Sequence, residues 1–166
     1  FTRERFVEWL SLPIVSEKFD LESDDLAILN RWLAAAGFEV GLNPAHLDAQ
    51  RDAQAADPRQ TQVYAPAALH ELTLERALER LAFGWMLPQD EDAAPYGDVL
   101  PVVGTELGGW DATGEKSGLL LKLANLYAVL ETLRLKTAEG EKLTDGTSAH
   151  FWTLWIGEVL QLSLIH

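Results

Sequence analysis

The chain has 166 residues, 48% of them apolar and 23% charged, the balance of an ordinary globular domain able to bury a core without staples. It holds no cysteine, which excludes disulfides, thiolate-held metals, iron–sulfur clusters and thiol nucleophiles within these residues and favours a reducing compartment. Thirteen Lys and Arg stand against 26 Asp and Glu, a formal net charge of −13; duplex affinity rests on cations that displace phosphate counterions, so a chain whose Lys and Arg are scattered singly should grip DNA poorly.

No stretch of 18 apolar residues is present to span a bilayer, and the opening FTRERFVEWL lacks the basic–apolar–small order of a signal peptide. Both ends are amphipathic or apolar and are expected to be cuts through a longer protein. Helical spacing dominates what lies between. Phe6, Trp9 and Leu10, followed by Pro13 and Ile14, predict a helix, a proline-started turn and a second short helix to about Phe19. Ser23, Asp24 and Asp25 offer an N-cap with carboxylates in the first turn, where the helix dipole favours them. Leu26, Leu29, Trp32 and Leu33 then form an apolar stripe and Gly37 stops it, predicting a helix over 24–36.

Residues 43–72 are rich in Ala, Asp, Gln and Pro and read mainly as loop, with a short helix possible after Asn43 and Pro44. Thr73 caps a segment in which Leu74, Leu78, Leu81 and Trp85 recur at helical spacing until Pro88. A second loop-rich stretch, 88–117, precedes a long helix over 117–136 whose stripe is Leu119, Leu123, Leu126, Leu130 and Leu133. Glycines between 140 and 146 separate it from a last helix with Trp152, Trp155, Ile156 and Val159 on one face. Only Phe38–Leu42 and Val99–Val103 could be strands, and both are short. The fold class is all-α: an irregular, single, multi-helix domain over 1–166 with long loops.

Motifs that would carry chemistry are incomplete. A phosphate-binding loop needs Gly, four residues, then Gly-Lys-Ser/Thr; Gly109 and Gly114 fit, but Glu115 displaces Lys116 and Ser117 by one position and sets a carboxylate where phosphate charge would sit. His70 and Glu71 open an HExxH-like motif whose second histidine is replaced by Leu74, and His46, His150 and His166 have no ligand spacing. Asp90, Glu91 and Asp92 lack the alternation of a calcium loop. Trp9, Trp32, Trp85, Trp152 and Trp155 sit on apolar helical stripes and are expected in the core rather than under stacked bases; Trp110, in a glycine-rich loop, is the candidate for exposure. These residues supply no catalytic, cofactor-binding or metal site, and no DNA-binding residue can be named.

LPIVSEKFDLESDDLAILNRWLAAAGFEVGLNPAH resembles a stretch of the RecC family, the gamma subunit of exodeoxyribonuclease V, through Phe19, Asp24, Asp25, Leu26, Leu29, Trp32, Gly37, Gly41, Leu42 and His46. Glu39 and Val40 replace the family's Arg-Trp before the second glycine. LERLAFGWML is similar to a further family block through Leu78, Glu79, Arg80, Leu81, Gly84 and Trp85, and VLPVVGTELGG to the stretch before a leucine-rich helix. The three blocks keep order and spacing over residues 12–135, while 47–73 aligns poorly and 136–166 matches only as an amphipathic helix.

The resemblance implies a bacterial cytoplasmic complex with RecB and RecD that unwinds and degrades DNA from double-strand breaks. It implies a helicase-like subunit without ATPase motifs, in which this segment belongs to the helical accessory subdomain of the second helicase-like domain. The segment is then a non-catalytic domain that makes subunit contacts. Two other readings remain open: a free-standing interaction module using the Trp152/Trp155 face, and an ATPase using Lys116.

Overall fold

A computed structural model describes residues 1–55, 66–86, 95–102 and 115–142. The chain divides into two compact units, Phe1–Ala124 and Asn125–His166. Among the described residues there are seven helices and no sheet: α1 (Arg3–Leu10), α2 (Pro13–Lys18), α3 (Ser23–Ala35), α4 (Pro44–Ala55), α5 (Pro66–His70), α6 (Leu74–Met86) and α7 (Glu115–Lys142). The last expected helix lies outside the described residues.

In the first unit, local chemistry explains where the helices start and stop. Phe6 and Leu10, one turn apart on α1, are fully buried. Pro13 sits at the first position of α2, where its missing N–H costs nothing. α2 and α3 both end in a Schellman motif, in which the two N–H groups past the helix return to carbonyls of its last turn. In α2, Leu21 N donates to Ser16 O at 2.8 Å and Asp20 N to Glu17 O at 3.3 Å; Asp20 takes the left-handed conformation at φ 50°. In α3, Phe38 N donates to Leu33 O at 2.9 Å and Gly37 N to Ala34 O at 3.0 Å, with Gly37 at φ 75°.

The start of α3 differs from expectation. Ser23 is the first helical residue and Glu22 is the N-cap; Glu22 N donates to Asp25 Oδ2 at 3.0 Å, so a carboxylate three residues on binds the cap. The extent of α4 also differs, because it occupies twelve residues of a stretch read as mainly loop. Asn43 Oδ1 accepts from His46 N at 2.9 Å, and Pro44 follows at the first helical position, which together start the helix. Its Ala, Gln and Leu residues then sustain it.

Phe38–Leu42 forms only an isolated bridge, Thr2 with Val40, and turns left-handed at Gly41. Its neighbours on either side offer too few residues for a ladder, yet its polar backbone is used on both edges. Arg3 N donates to Glu39 O and Gly41 N to Phe1 O on one side. On the other, Glu39 N and Val40 N donate to Leu72 O, while Gly41 O and Leu42 O accept from Leu74 N and Glu75 N. Those last two donors are the first N–H groups of α6, which have no partner within the helix. Of the other expected strand, Val99–Val103, the described residues 99–102 likewise give a single bridge, Tyr96 with Val99.

The core of this unit joins Phe6, Leu10, Leu29, Trp32, Leu33, Phe38, Leu74, Leu81 and Leu123. Phe1, Phe6 and Phe38 form an aromatic cluster with centroids 5.5–6.1 Å apart, the Phe6–Phe38 pair edge-to-face. Trp32 lies 6.3 Å from Trp85. Of the five tryptophans expected inside, Trp32 is fully buried and Trp9 and Trp85 are half-buried, while Trp152 and Trp155 lie outside the described residues, as does Trp110.

α7 begins two residues before the expected helix and runs past Gly140 to Lys142. In the first unit Leu119 and Leu123 are buried on it, and Lys122 donates to the Asp20 main-chain oxygen and, at 2.9 Å, to Asp20 Oδ2. In the second unit Leu126 is buried, and Arg134 pairs with Glu131 at 2.6 Å along the same helix.

Candidate functional site

Two arginines one turn apart on α6 organise the polar chemistry of the first unit. Arg76 donates to Glu71 in bidentate fashion, Nε to Oε2 at 3.1 Å and Nη2 to Oε1 at 3.2 Å, and through Nη1 to Glu79 Oε2 at 2.7 Å. Its Nη2 also reaches Asp98 in the turn after α6. Arg80 donates to Glu71 Oε2 and to the Ala36 carbonyl, each at 3.0 Å. That carbonyl belongs to the C-terminal end of α3, where a cation also meets the negative end of the helix dipole. The pair thus ties together α3, the turn at 71, α6 and the turn at 96–99.

The electrostatics are those of a brace. The hydrogen bond from Arg76 is the main reason the Glu71 and Asp98 carboxyls sit below the usual carboxylate range. Glu71, Asp98 and Glu79 in turn raise the Arg76 guanidinium further. A general acid or base works best with a pKa near the operating pH, and these shifts all lead away from it. Beside the cluster lies a cleft of about 200 Å³ lined by Pro44, His70, Glu71, Thr73, Glu75, Arg76 and Glu79. It is smaller than most small-molecule sites.

Two consequences are measurable. Arg80→Met, which keeps length and loses the donors, should cost about 1–3 kcal/mol in thermal unfolding, because the Ala36 carbonyl and Glu71 lose a charged partner. The second concerns acid. A carboxyl whose folded pKa lies below its ordinary 4.5 adds stability above that pH and loses it as the pH falls through the lower, folded value. Glu71→Gln should therefore melt below wild type at pH 7, by no more than about 1 kcal/mol for so exposed a group. The two melting curves should converge as the pH falls below the ordinary carboxylate range.

Of the histidines considered as metal ligands, the two among the described residues have structural roles. His46 Nδ1 accepts from Leu42 N at 3.1 Å at the start of α4. His70 Nε2 lies 3.3 Å from Asp48 Oδ1, joining α5 to α4. His70 ends α5 while Leu74 is buried at the start of α6, so the truncated HExxH does not share one helix. Among the described residues no group of three or more His, Asp and Glu is arranged to hold a metal ion. Lys116 and Ser117 occupy the first turn of α7. Gly109, Gly114, Asp90, Glu91, Asp92, His150 and His166 lie outside the described residues.

The family model of the RecBCD enzyme subunit RecC fourth domain matches residues 1–161. The chain belongs to the RecC family. No curated protein and no solved structure gave a match. The RecC-like residues noted in the sequence now have physical roles. Gly37 and Gly41 take left-handed conformations at φ 75° and 78°, and a Cβ on Gly41 would lie 2.6 Å from Leu47 Cδ2. Gly84 meets the Val102 backbone, Arg80 holds the end of α3, His46 anchors α4, and Trp32, Leu29 and Leu81 are core.

The Arg76 grip on Asp98 was not among the sequence expectations. Arg76 and Arg80, at i and i+4 beside Glu79, were its local signal, but a partner 22 residues away in a turn leaves no periodic trace.

Proposed function

We propose that this domain is a non-catalytic, structural and subunit-contacting part of the RecC subunit of exodeoxyribonuclease V, serving recombinational repair of double-strand breaks in the bacterial cytoplasm. The observation that carries the reading is the use of its cations. Arg51, Arg76, Arg80 and Lys122 are all held by carboxylates or main-chain oxygens of the chain itself, within a molecule of net charge −13. Cations so engaged are poorly placed to replace the counterions of a phosphate backbone. The Arg76 constellation supports the non-catalytic part, since its charges brace loops. Membership of the RecC family supports RecB and RecD as the partners, with DNA bound by the complex through other parts.

Hydrogen–deuterium exchange on the intact RecC subunit, alone and assembled with RecB and RecD, tests the contact role. Slower exchange within residues 1–142 on assembly is expected. Unchanged exchange throughout this domain would contradict it.

A further inference from the structure

We propose that the corner between α1 and α2, centred on Leu12 and Ile14, is the docking point for a cationic amphipathic segment of a partner subunit. This deepens the subunit-contact reading and rests on it. Ile14 is 79% exposed and Leu12 46%, whereas Val15 on the same helix is 7% exposed, so α2 has already buried its inner face and presents a second apolar surface outward. Ser11 and Pro13, beside them, are exposed as well.

Local hydrogen bonds fix the corner's backbone. Leu12 O accepts from Val15 N at 2.8 Å and Ser16 N at 2.9 Å, Leu12 N donates to Trp9 O at 3.2 Å, and Ser11 Oγ donates to Val7 O at 2.8 Å. An aliphatic pair held this way loses little conformational entropy when a partner covers it.

Charge selects the occupant. Glu17 stands one turn beyond Ile14 on α2, and Glu8 one turn before Leu12 on α1; both are exposed and neither forms an ion pair among the described residues. Residues 17–25 carry Glu17, Asp20, Glu22, Asp24 and Asp25 and one cation, Lys18, whose ammonium lies over the Phe19 ring at 5.8 Å; from outside the stretch Lys122 pairs with Asp20. Arg5 is the nearest other cation along α1. DNA would meet like charge here, and a second copy of the chain would bring the same carboxylates against themselves. A purely apolar partner would leave Glu17 and Glu8 desolvated without compensation. Aliphatic side chains flanked by Lys or Arg satisfy both the apolar corner and its rim.

The test uses the intact RecC subunit with RecB and RecD, and compares wild type, Ile14→Lys, Glu17→Lys and the distant surface control Ala49→Lys. Because the altered side chains are exposed, equal melting curves are expected for all four proteins. Ile14→Lys and Glu17→Lys should each weaken assembly roughly tenfold or more, the loss expected at an anchoring contact, with Ala49→Lys unchanged. Wild-type assembly should weaken as salt rises. Wild-type affinity in both variants would overturn the corner as a contact. It would leave the broader role intact if amides elsewhere in the domain are still protected on assembly; absence of that protection would overturn the role itself. A photo-crosslinker at position 14 should capture RecB or RecD. Capture of DNA, of another RecC copy or of another part of the same chain would overturn the proposal.

Discussion

Gly84→Val is expected to lower the melting temperature by about 6–12 °C, the equivalent of roughly 3 kcal/mol in a domain of this size. A Cβ at position 84 would lie 2.1 Å from the Val102 carbonyl oxygen and 3.0 Å from its carbon. Both are backbone atoms, so no side-chain rotation can relieve the clash. The segment ending at Val102 would have to leave α6, losing the Val102 N to Arg80 O bond at 3.1 Å and the burial of Val99 and Val102. Gly118 gives the control within the same chain. It lies inside α7 with nothing within 4 Å of its would-be Cβ, so Gly118→Ala should stabilise by roughly 0.5–1 kcal/mol through helix propensity alone. If the two substitutions had equal effects on differential scanning calorimetry, the docking of the 95–102 segment on α6 would be wrong.

Trp32→Ala should cost about 3–5 kcal/mol, because a fully buried indole leaves a cavity between α3 and α6 facing Trp85. Trp32→Phe should cost far less. It keeps an aromatic ring against Trp85, and the Trp32 indole N–H meets no acceptor among the described residues, so its removal breaks no hydrogen bond. Chemical denaturation of the two variants separates packing from polarity. Equal losses would mean that Nε1 has a partner and that the site is polar.

Periodicity made the helices legible where one face had to be buried. The spacing of Leu29, Trp32 and Leu33, and of Leu74, Leu81 and Trp85, located α3 and α6 because both pack in one core. Ends were less legible. Glu22 rather than Ser23 caps α3 because the bond that decides it, from Glu22 N to Asp25, depends on local backbone conformation. Gly140 read as a stop, yet a glycine is tolerated within a helix rich in Ala, Glu and Lys.

The Phe38–Leu42 stretch looked like a strand because its residues alternate, but its partners are the chain start and the turn before α6, too short to build a sheet. The brace was legible only in part. Arg80 could be placed by its RecC-like surroundings, whereas its contact with Ala36, 44 residues earlier, needs the tertiary fold. The same holds for His46 and His70, whose types suggested metal and whose neighbours give them hydrogen bonds instead.

In the proposed role Arg51, Arg76, Arg80 and Lys122 brace the domain itself, and nucleic acid is left to other parts of RecC. Fluorescence-anisotropy titration of a labelled forked DNA with this chain, at low and at moderate salt, tests that most directly. No rise in anisotropy at either salt concentration is the result predicted by a net charge of −13 and by arginines already bound to carboxylates. Binding at low salt that weakens as salt is added would show a converging basic surface, and would contradict the account.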